Sequence, residues 1–275
     1  MHVEDPRFPP LLTGCGVKAP VQAFAAACQG AASGAYGAAD VIWARNTGRV
    51  EMALVLEPDV PARRAREMVP LFQLAVIEAV GSLMPPKTSV LLRWPSVLLV
   101  NGGIAGSFRF AMAPCDDEEV PDWMVAAIDI ALLPEDRDVE PGYRREQTTL
   151  IEEGSETRTR SDFLEVISAF TLSWINSWQD DGIAALAESW VGRIEGNQDP
   201  ALIAADQVRR GDEANGDDEA VRGVKHRVLG LSEDLGLLVK VGDDNGEVLT
   251  LPIRDLVETF AGIGTANNTA NAERG

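Results

Sequence analysis

Histidine is almost missing from this chain: His2 and His226 are the two among 275 residues. They stand far apart in sequence, one near the chain start and one at the edge of an expected strand, so neither a histidine-based metal site nor a Ser-His-Asp triad is expected. Cysteine is scarce as well. Cys15, Cys28 and Cys115 are odd in number and irregular in spacing, which indicates neither a disulfide framework nor a zinc knuckle. Positive charge is in short supply: 24 Lys and Arg face 43 Asp and Glu, for a formal net charge of −19. Such a field repels a phosphate backbone at long range, and nucleic acid is not an expected partner. No apolar run approaches membrane-spanning length, and the start MHVEDPRFPPLL has neither the basic nor the apolar region of a signal peptide. A cytoplasmic protein without a membrane partner is expected.

What is present is apolar material. With 45% hydrophobic and 24% charged residues, the chain can bury a sizeable core and carry one small additional domain. Residues 1–20, rich in Pro and Gly, read as an irregular lead-in. Phe24–Ala32 reads as an Ala-rich helix stopped by Ser33-Gly34, and 40–44 and 50–56 read as strands around the basic turn Arg45-Asn46-Thr47-Gly48-Arg49. From Ala65 to Leu83, Met68, Leu71, Phe72, Ala75, Ala79 and Leu83 recur at helical spacing; Pro70 should kink or delay that helix, and Pro85-Pro86 ends it.

Strands are expected at Ser89–Trp94 and Met124–Leu132. Between them, RWPSVLLVNGGIAGSFRF (93–110) carries Asn101-Gly102 flanked by β-rich runs, a strong hairpin signal. Ser161 can cap a helix burying Phe163, Ile167, Phe170, Trp174 and Trp178, and Asp181 another burying Ile183, Leu186, Trp190 and Ile194. Residues 196–221, with Gly211–Glu219 acidic and devoid of an apolar stripe, read as a flexible linker between a 1–195 domain and a 222–260 domain. That second unit has strands at 226–231, 235–241 and 247–251 and is closed by Pro252–Phe260. The tail 261–275 reads as disordered.

Arg93-Trp94-Pro95, the Val100–Gly106 turn, Thr148-Thr149-Leu150, the Trp178–Trp190 helix pair and the 226–257 segment, in this order and spacing, resemble the biotin/lipoate protein ligase family. The fold so implied is α+β: a mixed, largely antiparallel sheet backed by helices, followed by a small SH3-like β-barrel. The activity so implied takes ATP with Mg and a small carboxylic acid, biotin or lipoate, to an acyl-adenylate, and passes the acyl group to a lysine of an acceptor protein. Such chemistry needs a positive loop over the adenylate, a cation on the α-phosphate and polar groups holding nucleotide and metal.

Against that pattern, Arg93 keeps the family's basic position and can clamp a carboxylate or phosphate. Trp94 is either a pocket wall or core. Ser96 and Val97 replace an Asn-Asp pair, and Val97 cannot accept a hydrogen bond. Gly103 stands where the family has its catalytic lysine, and Arg109, six residues along at about 3.3 Å each, is roughly 20 Å away. Gly102, Gly103 and Gly106 suit either close backbone approach to a ligand or a bulged hairpin. The adenylate loop shrinks to Arg45–Arg49, in which Arg45 and Arg49 remain as cations. Asp129 and Ala131 replace a Gly-Ile-Gly-Ile-Asn run.

Two functions follow. One is a divergent ligase or acyltransferase with Arg93, Trp94, Gly102, Gly103, Gly106, Arg45 and Arg49 lining the ligand site; a cysteine-thioester variant fits poorly, since Cys28 lies on an Ala-rich helix and Cys115 borders the acidic run Asp116–Glu119. The other is a non-catalytic descendant that keeps the fold and binds a small acid or a protein.

Overall fold

The computed structural model describes residues 5–134, 146–195, 226–232, 235–241 and 246–260. The expected linker (196–221) and tail (261–275) lie outside these residues.

The larger sheet has the strands β1 (Thr13–Val17), β2 (Asp40–Ala44), β3 (Arg49–Leu56), β4 (Val90–Arg93), β5 (Val97–Val100), β6 (Gly103–Met112) and β7 (Met124–Ala131). They lie in the order β1-β2-β3-β7-β6-β5-β4. β1 runs parallel to β2 and the other pairs along this path are antiparallel. The lead-in is therefore not wholly irregular. β1 is an edge strand with mostly exposed residues, so it lacks the alternation that marks a half-buried strand.

Helices cover both faces. α1 (Ala23–Ser33) lays Ala23, Phe24, Ala27, Cys28 and Ala31 against Ile42, Ala53, Val55, Ala111, Val125 and Ala127. Small residues on both sides allow a close approach, and Gly34 in the left-handed region ends the helix as a C-cap. The opposite face carries α3 (Met68–Leu83), preceded by the single turn α2 (Ala62–Ala65) and flanked by α4 (Arg160–Asp181) and α5 (Ala184–Val191). Pro70 delays rather than kinks: the helix starts at Met68, so proline falls in its first turn, where no intrahelical N–H bond is lost. Phe72 meets Phe108 and Phe110 edge-on at ring-centroid distances of 6.3 and 6.2 Å. The cap of α4 is Thr159, not Ser161. Its hydroxyl receives Asp162 N–H while the Asp162 carboxylate receives Thr159 N–H, a capping box that begins two residues upstream of the expected cap.

β8 (His226–Leu231), β9 (Leu237–Val241) and β10 (Glu247–Leu251) form a three-stranded antiparallel sheet, consistent with an SH3-like unit. Val228, Leu235, Leu237, Val239 and Ile253 share one apolar core with α3, α4 and α5. The closing segment crosses over. β11 (Val257–Thr259) pairs in parallel with Phe110–Met112 of β6, filling the edge that the shorter β5 leaves open.

Candidate functional site

Because α1 covers the sheet only as far as Ala53, Ala111 and Ala127, a strip beside it is left open by the described residues. Cross-strand pairing sets its members in one row on one face: Arg93 opposite Val97, Val97 opposite Ser107, Ser107 opposite Asp129, and Asp129 opposite Glu51. Ser107 is exposed, and the other four are half-buried. At the β3 end, Arg49 Nε donates to Asp129 Oδ1 at 2.6 Å. Glu51 Oε1 accepts the Ala23 N–H that opens α1, also at 2.6 Å. Burial pushes the Glu51 carboxyl above its ordinary range; the Ala23 bond opposes this, the Asp129 charge adds to it, and Arg49 opposes it. At the β4 end, Arg93 donates to both carboxylate oxygens of Glu195, at 2.7 and 3.1 Å.

The short 45–49 turn is held from below. Arg45 forks onto the Asp5 carboxylate, with the Nη2 to Oδ2 bond at 2.8 Å. The guanidinium carbons of Arg45 and Arg160 lie 4.8 and 4.9 Å from the centre of the Trp43 ring. Arg160 is 3% exposed. Its Nη1 donates to Asn46 O at 3.3 Å, and its Nε is buried without a partner. Burial lowers its pKa, Asp5 opposes that, and Arg45 adds to it. Sequence reasoning passed over Arg160. The Thr-x-x-Asp box at 159–162 was the signal, since it places position 160 in the first turn of α4, turned towards the basic loop.

The expected hairpin residues other than Gly102 are packed against the protein itself. Asn101 and Gly102, at φ 48° and 85°, form the tight turn. Asn101 Nδ2 and Thr148 Oγ1 both donate to Glu153, at 2.6 Å each, which clamps the 146–154 segment to the hairpin tip. A side chain at Gly103 would run into Thr148, whose Cγ2 lies 2.8 Å from the position of a Cβ. One at Gly106 would strike β7, with Asp129 O at 2.5 Å and Ile130 Cα at 3.0 Å. Trp94 belongs to the core, edge-on to Trp190 at 6.0 Å. Gln73 joins the two tryptophan segments by accepting from Trp190 Nε1 and donating to Pro95 O. Thus Arg93 and Arg49 share the strip, Gly103 and Gly106 adjoin it, Arg45 lies beyond its β3 end, and Trp94 faces the core.

The described residues offer little of what the resemblance implies for ATP with Mg: positions 96 and 97 are a serine and a valine, and Arg45, Arg49 and Arg93 each bind a carboxylate of the chain. A thioester route fits no better. All three thiol pKa values are raised, first by burial, and that of Cys28 reaches about 12. Arg109 pairs with Glu258 of β11 and lies over the Phe24 ring at 3.9 Å, engaged well away from position 103.

Comparison with known proteins places this geometry. The chain is 29% identical, at a TM-score of 0.72, to the crystal structure of a biotin protein ligase-like protein of unknown function from Silicibacter sp. TM1040, covering 91% of this chain and 98% of that one. Biotin protein ligase from Aquifex aeolicus shares the fold at 13% identity and a TM-score of 0.59, over 87% and 96% of the two chains. A biotin–[acetyl-CoA-carboxylase] ligase from Paracoccus denitrificans is 22% identical over 160 residues, 58% of this chain; the match spans 66% of that relative's length. Among the described residues, no helix is long and apolar enough to cross a membrane. Residues 8–192 match the family described as biotin/lipoate A/B protein ligase, and the chain belongs to that family.

Proposed function

We propose that this chain is a ligase-fold binding protein, which receives a small carboxylic acid of the biotin or lipoate class, or its acyl-adenylate, on the open strip without activating the acid with ATP. The observation that carries this reading is the electrostatic state of the site. The lysine position is a glycine packed against Thr148, and Arg45, Arg49 and Arg93, the arginines at the expected site positions, each hold a carboxylate of the chain. A group that is to neutralise a developing phosphate charge must stand preorganised towards it, and losing one such group costs on the order of 10²–10³ in rate. The Aquifex ligase has been crystallised with biotin and with biotin and ATP, which supports the ligand class.

Arg49 and Arg93 are the residues assigned to ligand recognition, because each already binds a carboxylate from the same face of the sheet. An incoming acid exchanges with Asp129 or Glu195, so binding is weaker than to an unpaired guanidinium. Gly103, Gly106 and Gly102 leave the backbone side of the strip low, Trp94 backs it from the core, and Arg45 steadies the turn. A cytoplasmic setting and a protein partner in place of an acceptor substrate complete the proposal.

The experiment is a thermal-shift series with biotin, lipoate, octanoate and their adenylate analogues, alongside pyrophosphate exchange. At least one acid or adenylate should raise the melting temperature, and both Arg49→Ala and Arg93→Ala should reduce the shift. No exchange should be detected. Turnover near 1 s⁻¹ or faster, within the usual enzyme range, would show that the chain is an active ligase.

A further inference from the structure

A second cationic site lies at the opposite end of β3 and β7, where the first domain meets the C-terminal sheet. A cleft of about 650 Å³ opens there between α2, the loop before β7, residues Ser232, Leu235 and Gly236 beside the C-terminal sheet, and the Pro252–Arg254 segment. That volume falls in the range of small-molecule sites. In a chain of net charge −19, four arginines line it: Arg63, Arg64 and Arg66 on one wall, Arg254 on the other.

Their pairing is uneven. Arg66 binds Asp117 at 2.6 Å and Arg63 binds Glu118 at 3.0 Å. Arg64 reaches Glu67 only at 3.9 Å, and Glu67 is occupied by the indole N–H of Trp178. Arg254 reaches its neighbour Asp255 at 3.6 Å. Neither Arg64 nor Arg254 donates a hydrogen bond among the described residues. Arg64 is nonetheless held in place, its guanidinium 5.5 Å from the centre of the Trp178 ring. Arg66 adds a buried Nε with no partner, in a side chain 15% exposed. A buried donor without an acceptor is costly, and a preorganised guanidinium gives up less entropy per bond it forms. The backbone is fixed too: Ala62 N–H and Arg63 N–H donate to Glu119 O and Asp117 O, pinning α2 to the loop.

We infer that this cleft binds a small phosphate-bearing polyanion, gripped between Arg64 on the first domain and Arg254 on the C-terminal unit. A tetrahedral phosphate presents oxygens in several directions, so forks from two walls can reach it together, whereas a planar carboxylate offers two oxygens in one plane. Asp117 and Glu118 hold the remaining charges in balance, which favours a compact anion over a long acidic chain. Binding here couples the two units, since each contributes one wall.

Inorganic pyrophosphate is the probe, titrated calorimetrically into the full chain at fixed ionic strength, with sodium chloride as the matched control. Saturable one-to-one binding is expected, with affinity falling at least tenfold in Arg64→Ala and in Arg254→Ala and partly restored in Arg254→Lys. Arg254 is 67% exposed at its side chain, and its ion pair with the equally exposed Asp255 is long, at 3.6 Å, so its variants should melt as the parent does. Arg49→Ala, which alters the strip, should leave pyrophosphate binding intact, so this test and that of the acid site fail separately. Absence of saturable binding, equal heats from chloride, or affinity unchanged in the Arg64→Ala Arg254→Ala double variant would overturn the assignment.

Discussion

Gly106→Ala separates two reasons for a glycine beside the strip. A methyl group at this position would sit 2.5 Å from Asp129 O and 3.0 Å from Ile130 Cα. Ordinary contact lies near ~3.5 Å, so β6 and β7 must part by about 1 Å at a register point where Gly106 faces Ile130. Backbone in the middle of a sheet cannot swing aside as a side chain can, and overpacking of this kind costs about 1–3 kcal/mol. For a domain of 150–250 residues each kcal/mol lowers the melting temperature by about 2–4 °C, so a loss of roughly 2–12 °C is expected.

Differential scanning calorimetry of the apo protein measures it. Gly102→Ala is the companion variant: its methyl would point into open space, and it pays only for a left-handed φ of 85°, about 1–2 kcal/mol. If Gly106→Ala melts with the parent while binding of biotin-class acids disappears, the glycine is kept for a ligand and the packing argument is wrong.

Two further outcomes follow from the titrating groups. Glu51 has a raised pKa in the folded state, so the folded protein binds its proton more tightly than the unfolded chain does; stability on its account falls as pH rises from the ordinary glutamate range through the raised value. Glu51→Gln, which keeps an acceptor for Ala23 N–H, should therefore be more stable than the parent at neutral pH and equal to it in acid, as read by denaturant melts across pH; a gap that persists in acid would assign the effect to packing. With its thiol pKa at about 12 and its side chain fully buried under α1, Cys28 should resist iodoacetamide in the native protein at neutral pH and react only on unfolding, which mass spectrometry of the alkylated peptides reports.

The fold was largely legible because its strongest elements declare themselves locally. Asn101-Gly102 sets the hairpin turn, and the 65–83 periodicity marks the central helix. The Ala-rich run of α1 is matched by alanines on the sheet. What escaped was set by partners distant in sequence. β1 is defined by parallel pairing to β2 rather than by any alternation of its own. Val257–Thr259 read as the last piece of a small barrel, yet it adds to β6, because β5 stops short and leaves that edge unpaired. The helix after Gly182 starts at Ala184, and Ile194, expected on its buried face, lies past its end, where it bridges to Leu92 of β4.

The site was legible in its losses and not in its compensations. Reading Gly103, Ser96 and Val97 against the family's pattern removes a cation, an amide and a carboxylate, and sequence suffices for that. It does not reveal that Asp5, Asp129 and Glu195, which are 40, 80 and 102 positions from Arg45, Arg49 and Arg93, meet those arginines in space. These pairings bear on the function more than the missing lysine does. A site that had lost only its lysine would keep unpaired guanidinium groups facing one another across the strip, at a cost in repulsion that a bound nucleotide would relieve. Here that repulsion is already relieved inside the chain, by carboxylates on the lead-in, on β7 and after α5. The triphosphate of ATP would have to displace them together and meet the Glu51 and Asp129 charges as it did so, whereas a single carboxylate exchanges like for like at one arginine and leaves the others in place.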